Sequence, residues 1–117
     1  MPEFQQIGSA VGVNPDYVGA ISAFESDWGN QSHRGNNNMF STLERRRGAF
    51  RMIKWQSGNE EKYLIGKWQA DMKGVTSLQG FVDVLIATVF TADPPEVYRA
   101  GANSRYGEYL YWKPLCN

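Results

Sequence analysis

Cysteine, histidine and any surplus of charge are what this 117-residue chain has least of. Its one cysteine, Cys116, lies next to the C-terminus and excludes an internal disulfide. With one histidine, His33, no zinc site of His and Cys ligands can be assembled, and the expectation is no metal and no cofactor. Twelve basic residues balance twelve acidic ones, which argues against a dedicated nucleic-acid binder. The Arg45-Arg46-Arg47 run reads as a solvated loop patch. No apolar run approaches the ~20 residues that cross a membrane, so no membrane partner is expected. The N-terminal Met1-Pro2-Glu3-Phe4 lacks the basic and apolar regions of a signal peptide, so work outside the cytoplasm would need another means of delivery.

What the chain does have is a globular balance, 42% hydrophobic and 21% charged, at a length that buries a real core in one domain spanning 1–117. No repeat, low-complexity segment or second domain interrupts it. Aromatic residues reach 14%, with four Trp and six Tyr, which suits either core packing or a groove that stacks on the C–H faces of sugar rings. Composition does not choose between these.

Phe4, Ile7 and Val11 have the spacing of a short helix that Gly12 closes. Asn14-Pro15 starts a second helix, Asn as N-cap and Pro at the first helical position. Its apolar stripe is Tyr17, Ile21, Phe24 and Trp28, and Gly29 is placed to end it. Glu25 follows Phe24 directly and so sits about 100° around the helix, at the edge of that stripe. Residues 30–48 read as a structured loop, anchored to the core by Met39, Phe40 and Leu43. Residues 49–55 and 63–69, around Ser57-Gly58-Asn59, read as a β-hairpin. Thr76 or Ser77 caps a third helix with the stripe Leu78, Phe81, Val82, Leu85 and Val89. A short helix follows Asp93-Pro94-Pro95, Gly101 breaks it, and Asn103 or Ser104 caps a last helix through Tyr106, Tyr109 and Trp112 to Pro114. The expected class is mainly α (α+β), helices with one inserted hairpin lobe.

The pattern Asn14-Pro15, Ala20, Ala23, Glu25-Ser26-x-Trp28-Gly29, then Asn37-Asn38-Met39-Phe40, resembles the endo-β-N-acetylglucosaminidases of glycoside hydrolase family 73. These include the domain attached to the flagellar rod protein. The resemblance runs in the same order over nearly the whole chain and implies a lysozyme-like fold acting on peptidoglycan glycan strands. It implies Glu25 as catalytic acid, and Tyr106 looks like the family's C-terminal Tyr. Trp28, Asn37, Asn38, Phe40 and Tyr106 are then the expected substrate-binding residues. Protonating a glycosidic oxygen needs a carboxyl still protonated near neutral pH, which burial beside Trp28 and Phe40 would provide.

Three departures stand out. Asp27 replaces a small residue, and it either raises the pKa of Glu25 or points to solvent. Ser41 replaces the Gly after the loop Phe. The hairpin stretch Ile53-Lys54-Trp55-Gln56 lacks the family's second acid, leaving Glu60, Glu61 and Glu44 as candidates. Asn37 and Asn38 serve either an N-acetyl group or turn bonding within the loop. The leading expectation is a glycosidase cutting after N-acetylglucosamine at the cell wall, delivered by a phage particle or secretion machine. Its rivals are a lytic transglycosylase or muramidase of the lysozyme-like group, which needs one acid, and a non-catalytic phage-tail or secretion-system component.

Overall fold

In the computed structural model, which describes residues 2–28, 37–47 and 49–115, five α-helices and one two-stranded antiparallel sheet are seen. The chain is mainly α with a small β element, as its patterning suggests. Helix α1 (Pro2–Val11) leads into α2 (Pro15–Ser26), where Asn14 Oδ1 accepts the Asp16 N–H at 2.9 Å. Helix α2 stops earlier than Gly29, because Asp27 (φ 47°) and Trp28 (φ 59°) turn into the left-handed region. Both their N–H groups are satisfied by the Ala23 carbonyl. The Gly29 stop, the loop residues 30–36 with His33, and Gly48 and Cys116 lie outside the described residues.

The hairpin is displaced from its expected position. Strands β1 (Leu43–Arg46) and β2 (Ala49–Met52) pair with Leu43 opposite Met52 and Glu44 opposite Arg51. Two residues link them, and Arg47 takes the left-handed φ of 54° that such tight turns require. The arginine run therefore spans a strand and its turn.

The segment read as the second strand is helix α3 (Asn59–Asp71). Glu60, Leu64 and Trp68 are all buried at four-residue spacing, a helical period, and Glu60 and Glu61 suit the positive end of the helix dipole. Gly58 is the N-cap of this helix, at φ 83°, instead of a hairpin turn.

Helix α4 (Leu78–Ala87) opens on Ser77, whose hydroxyl accepts the Gly80 N–H. It ends before Val89, which is 81% exposed and therefore leaves the expected core stripe. Helix α5 (Pro95–Trp112) is continuous through Gly101 and ends in a 3-10 turn at Lys113–Leu115. No helix among the described residues is long and apolar enough to cross a membrane. The core joins Ile7, Ile21, Leu64, Trp68, Phe81 and Tyr98. Trp68 is its hub, with ring contacts to Phe40, Phe81 and Phe90.

Helices α2 and α5 are antiparallel neighbours, held close by two glycines. A Cβ on Gly19 would lie 2.4 Å from the Tyr109 ring, and one on Gly101 would lie 2.4 Å from the Phe24 ring. Gly101 thus acts as a notch for Phe24 and not as a helix breaker. Gly107, in the same helix, has open space where a Cβ would go. Gly107→Ala should stabilise the protein by up to about 1 kcal/mol, the usual helical gain over glycine. Gly101→Ala should lose about 1 kcal/mol or more, because overpacking outweighs that gain. Urea unfolding of the two variants checks the sign of each, and a stabilising Gly101→Ala would refute the notch.

Candidate functional site

Glu25 is half-buried on the last turn of α2, where that helix crosses the start of α5. Phe24 sets the crossing: its ring meets Tyr98 at 5.1 Å and fills the Gly101 notch. Tyr98 thereby comes beside Glu25. The Glu25 pKa rises from 4.5 to about 7, first because burial disfavours the anion. The Tyr98 hydroxyl opposes this by stabilising the anion, and the negative charge of Asp93 adds to the rise. Burial, and then Glu25 itself, pushes the Tyr98 hydroxyl up as well. That hydroxyl is buried and has no partner at strict hydrogen-bond geometry, so it stands near the carboxyl without closing a bond to it.

Asp27 does not supply the second charge. It pairs with Arg105 of α5 at 2.9 Å. The arginine-paired carboxylate at this helix end is thus Asp27, and Glu25 has no such partner among the described residues.

The chain returns to Glu25 through residues 38–42, and almost every polar atom there is engaged. Asn38 is fully buried. Its Nδ2 donates to the carbonyls of Thr42 (2.7 Å) and Ile53 (3.1 Å), and its Oδ1 accepts the Thr42 N–H at 2.9 Å. Ser22 donates to the Met39 carbonyl, and Ser26 donates back to the Ser22 carbonyl. Ser41 donates to the Glu25 carbonyl at 2.6 Å. Its φ of 54° lies in the left-handed region that favours glycine. The path beneath the site is therefore that of a glycine, and the hydroxyl ties it to the acid's own helix.

Glu60 is a second raised carboxyl. It is 3% exposed, accepts the Met39 N–H at 3.0 Å and meets the Thr42 hydroxyl at 3.5 Å. Burial lifts its pKa to about 7, the Met39 N–H opposes that, and the charge of Glu61 adds to it. Glu60 braces the loop from the α3 side, buried away from solvent. Glu61, the next residue on α3, is half-buried, and Glu44 is exposed on β1 opposite Arg51.

A group with a raised folded pKa favours folding fully below its unfolded value and loses that contribution as pH climbs through the folded value. For Glu60 the window is 4.5 to about 7, worth on the order of 3 kcal/mol at most. The urea midpoint should fall between pH 5 and pH 8, and Glu60→Gln, which keeps an acceptor for Met39, should flatten the fall. An undiminished fall in the variant would assign the titration elsewhere.

The remaining expected residues spread out. Phe40 is 3% exposed and packs edge-on against Phe4 and Trp68, so it belongs to the core. Trp28 stacks over Tyr109 at 6.5 Å, and its indole N–H donates to Glu108. Tyr106 packs on Tyr17 at 5.8 Å, eight residues before Glu25, or about 12 Å along the helix. Asn37 is exposed, at a left-handed φ of 53°. A cavity of about 300 Å³ opens between residues 41–43, α3 and the 89–92 connection. Glu25 does not line it; of the lining residues Ser41 touches Glu25, through the backbone carbonyl. Among the described residues no cluster of three or more His, Cys, Asp or Glu side chains is placed to hold a metal.

No family model, curated protein or solved structure matches the chain. The chemistry must be read from the site itself. Its groups are one proton-bearing acid, Glu25, the Tyr98 hydroxyl and the Asp93 charge that act on it, and a loop tied to the Glu25 carbonyl through Ser41. Two of these, Asp93 and Tyr98, were not among the sequence candidates. Only the helix crossing brings them to Glu25.

Proposed function

We propose that the protein is a peptidoglycan hydrolase of the glycoside hydrolase family 73 kind. It would cut the β-1,4 glycan strand after N-acetylglucosamine with Glu25 as general acid. The supporting observation is that Glu25, the acid of the Glu-Ser-x-Trp motif, is half-buried, held near pKa 7 and tied at its backbone carbonyl to Ser41. A carboxyl so poised is protonated at neutral pH and can give its proton to a leaving-group oxygen. In this reading Asp93 is the second carboxylate, since its charge reaches Glu25. It would activate water or stabilise the oxocarbenium ion on the sugar. Glu60 is a brace in this scheme, and Glu61 has no assigned step.

A single-acid route is favoured by a separate observation: the hairpin offers no acid toward Glu25, because Glu44 is exposed across from Arg51. That is the lytic transglycosylase alternative. Muropeptide analysis of digested peptidoglycan separates the two. Reducing N-acetylglucosamine ends support the hydrolase, 1,6-anhydro-muramyl ends support the transglycosylase, and no release of either would leave a non-catalytic protein on this fold.

A further inference from the structure

Glu60 stands on the first turn of α3 as a buried carboxyl with no basic partner among the described residues. Burying such a group is unfavourable unless hydrogen bonds compensate it. The donors that face it belong to one short loop. Its Oε1 takes the Met39 N–H, its Oε2 meets the Thr42 hydroxyl, and the Phe40 N–H also turns to the carboxyl. The charged neighbour on its own helix is Glu61.

The same loop is bound on its other side to α2. Met39 is held at both of its backbone polar groups, the N–H by Glu60 and the carbonyl by the Ser22 hydroxyl at 3.2 Å. Ser41 lies between the residues that Glu60 holds, and its hydroxyl gives its proton to the Glu25 carbonyl at 2.6 Å. That carbonyl is among the last four of α2, which a helix leaves without an intrahelical partner. Ser41 keeps a left-handed φ of 54°, a conformation that persists in a non-glycine residue only where the surroundings hold it. A continuous series of contacts therefore runs from the Glu60 carboxyl, through residues 39–42, to the turn that carries Glu25.

We infer that Glu60 is a positioning residue for Glu25, holding residues 39–42 in the strained path that keeps the Ser41 hydroxyl on the Glu25 carbonyl. Its bearing on catalysis rests on the reading of Glu25 as a glycan-cleaving acid. Burial is the largest cause of the raised Glu25 pKa, and the charge that adds to it is that of Asp93. Glu60 acts instead through the loop, by keeping water from the last turn of α2. A loosened loop would hydrate the Glu25 carboxyl and let it ionise at lower pH.

The test follows the Glu25 carboxyl by carbon-13 NMR across a pH titration, with Glu25→Gln assigning the resonance. Glu60→Gln keeps an acceptor for the Met39 N–H, and Glu60→Leu does not. Both remove the charge, so a difference between them reports the loop. The Glu25 midpoint should lie about 0.5 pH unit or more lower in Glu60→Leu, roughly a threefold change in its ionisation constant. In a Ser41→Gly background, which suits the backbone and removes the hydroxyl, that difference should vanish. A brace that served stability alone would weaken Glu60→Leu without moving the Glu25 midpoint. Equal midpoints in the two variants, or a difference that survives Ser41→Gly, would overturn the role. If Glu60→Leu does not fold, Thr42→Val against the unaltered protein takes its place under the same two criteria. Peptidoglycan cleavage by the unaltered protein is scored separately. A moved midpoint without cleavage would sink the catalytic reading alone, and cleavage with an unmoved midpoint would sink the positioning role alone.

Discussion

Glu25→Gln should lower glycan release from peptidoglycan by about 10²- to 10⁴-fold, the range in which a positioned general acid contributes. The amide has nearly the same shape and cannot give a proton to a leaving oxygen. The fold should not suffer. Ionising a half-buried acid whose pKa sits near 7 costs stability at higher pH, so the neutral variant should unfold at equal or higher urea at pH 8. Loss of release together with loss of stability would point to a damaged fold. Undiminished release would remove Glu25 from the chemistry.

The pH profile gives the same assignment a second readout, with opposite signs from two neighbours. Release should fall as pH rises through about 7, because Glu25 must be protonated to act. Asp93→Asn removes the charge that discourages ionisation, so the alkaline limb should move to lower pH. Tyr98→Phe removes the hydroxyl that stabilises the anion, so the limb should move higher. A structural role for either residue would change the amplitude without moving the limb. If Asp93 is also the second carboxylate, Asp93→Asn lowers the maximum as well, and the two effects separate within one profile.

How far this site could be read from the sequence depended on whether the signal was local. The caps at Asn14 and Ser77 act within one helical turn, and both helices start where those residues stand. Glu25 also rests on a local pattern, a carboxylate after an apolar stripe with its serine and tryptophan. The hairpin was misplaced because its turn at Arg47 is hidden in a run of arginines. Adjacent apolar residues Met52 and Ile53 further blur the alternation. Helix α3 was missed because its buried stripe includes an acid, Glu60, where a periodic reading looks for a hydrophobe. Gly101 carries no local sign that its role is to receive Phe24 from 77 positions earlier in the chain. Tyr98 and Asp93 share that difficulty. They reach Glu25 through the α2–α5 crossing, a tertiary fact with no local sign in the sequence.

Asn38→Ala should cost about 3–5 kcal/mol, which for a domain of this size lowers Tm by roughly 10–20 °C. The side chain is fully buried, and its loss strands the Thr42 N–H and the Ile53 carbonyl, while the Thr42 carbonyl keeps the Ile53 N–H. Each stranded group carries a desolvation penalty of about 1–3 kcal/mol, and together they exceed what one surface asparagine contributes. Asn38→Asp is the sharper variant. It keeps the acceptor for Thr42 and turns an oxygen toward two carbonyls, so it should be nearly as damaging despite its shape. Asn37 is the contrast: it is exposed and its φ is 53°, so Asn37→Gly removes the amide while allowing the same backbone. Asn37→Gly should stay within about 1 kcal/mol of the unaltered protein. Thermal unfolding of the three variants, followed by release assays on those that remain folded, divides the roles. If Asn38→Ala kept full stability and lost only activity, Asn38 would be a sugar ligand and the 38–42 clasp would have to be abandoned. If it unfolds as expected, the motif's second asparagine shapes the site by holding the loop against Glu25, and Asn37 alone has an amide free to meet a ligand.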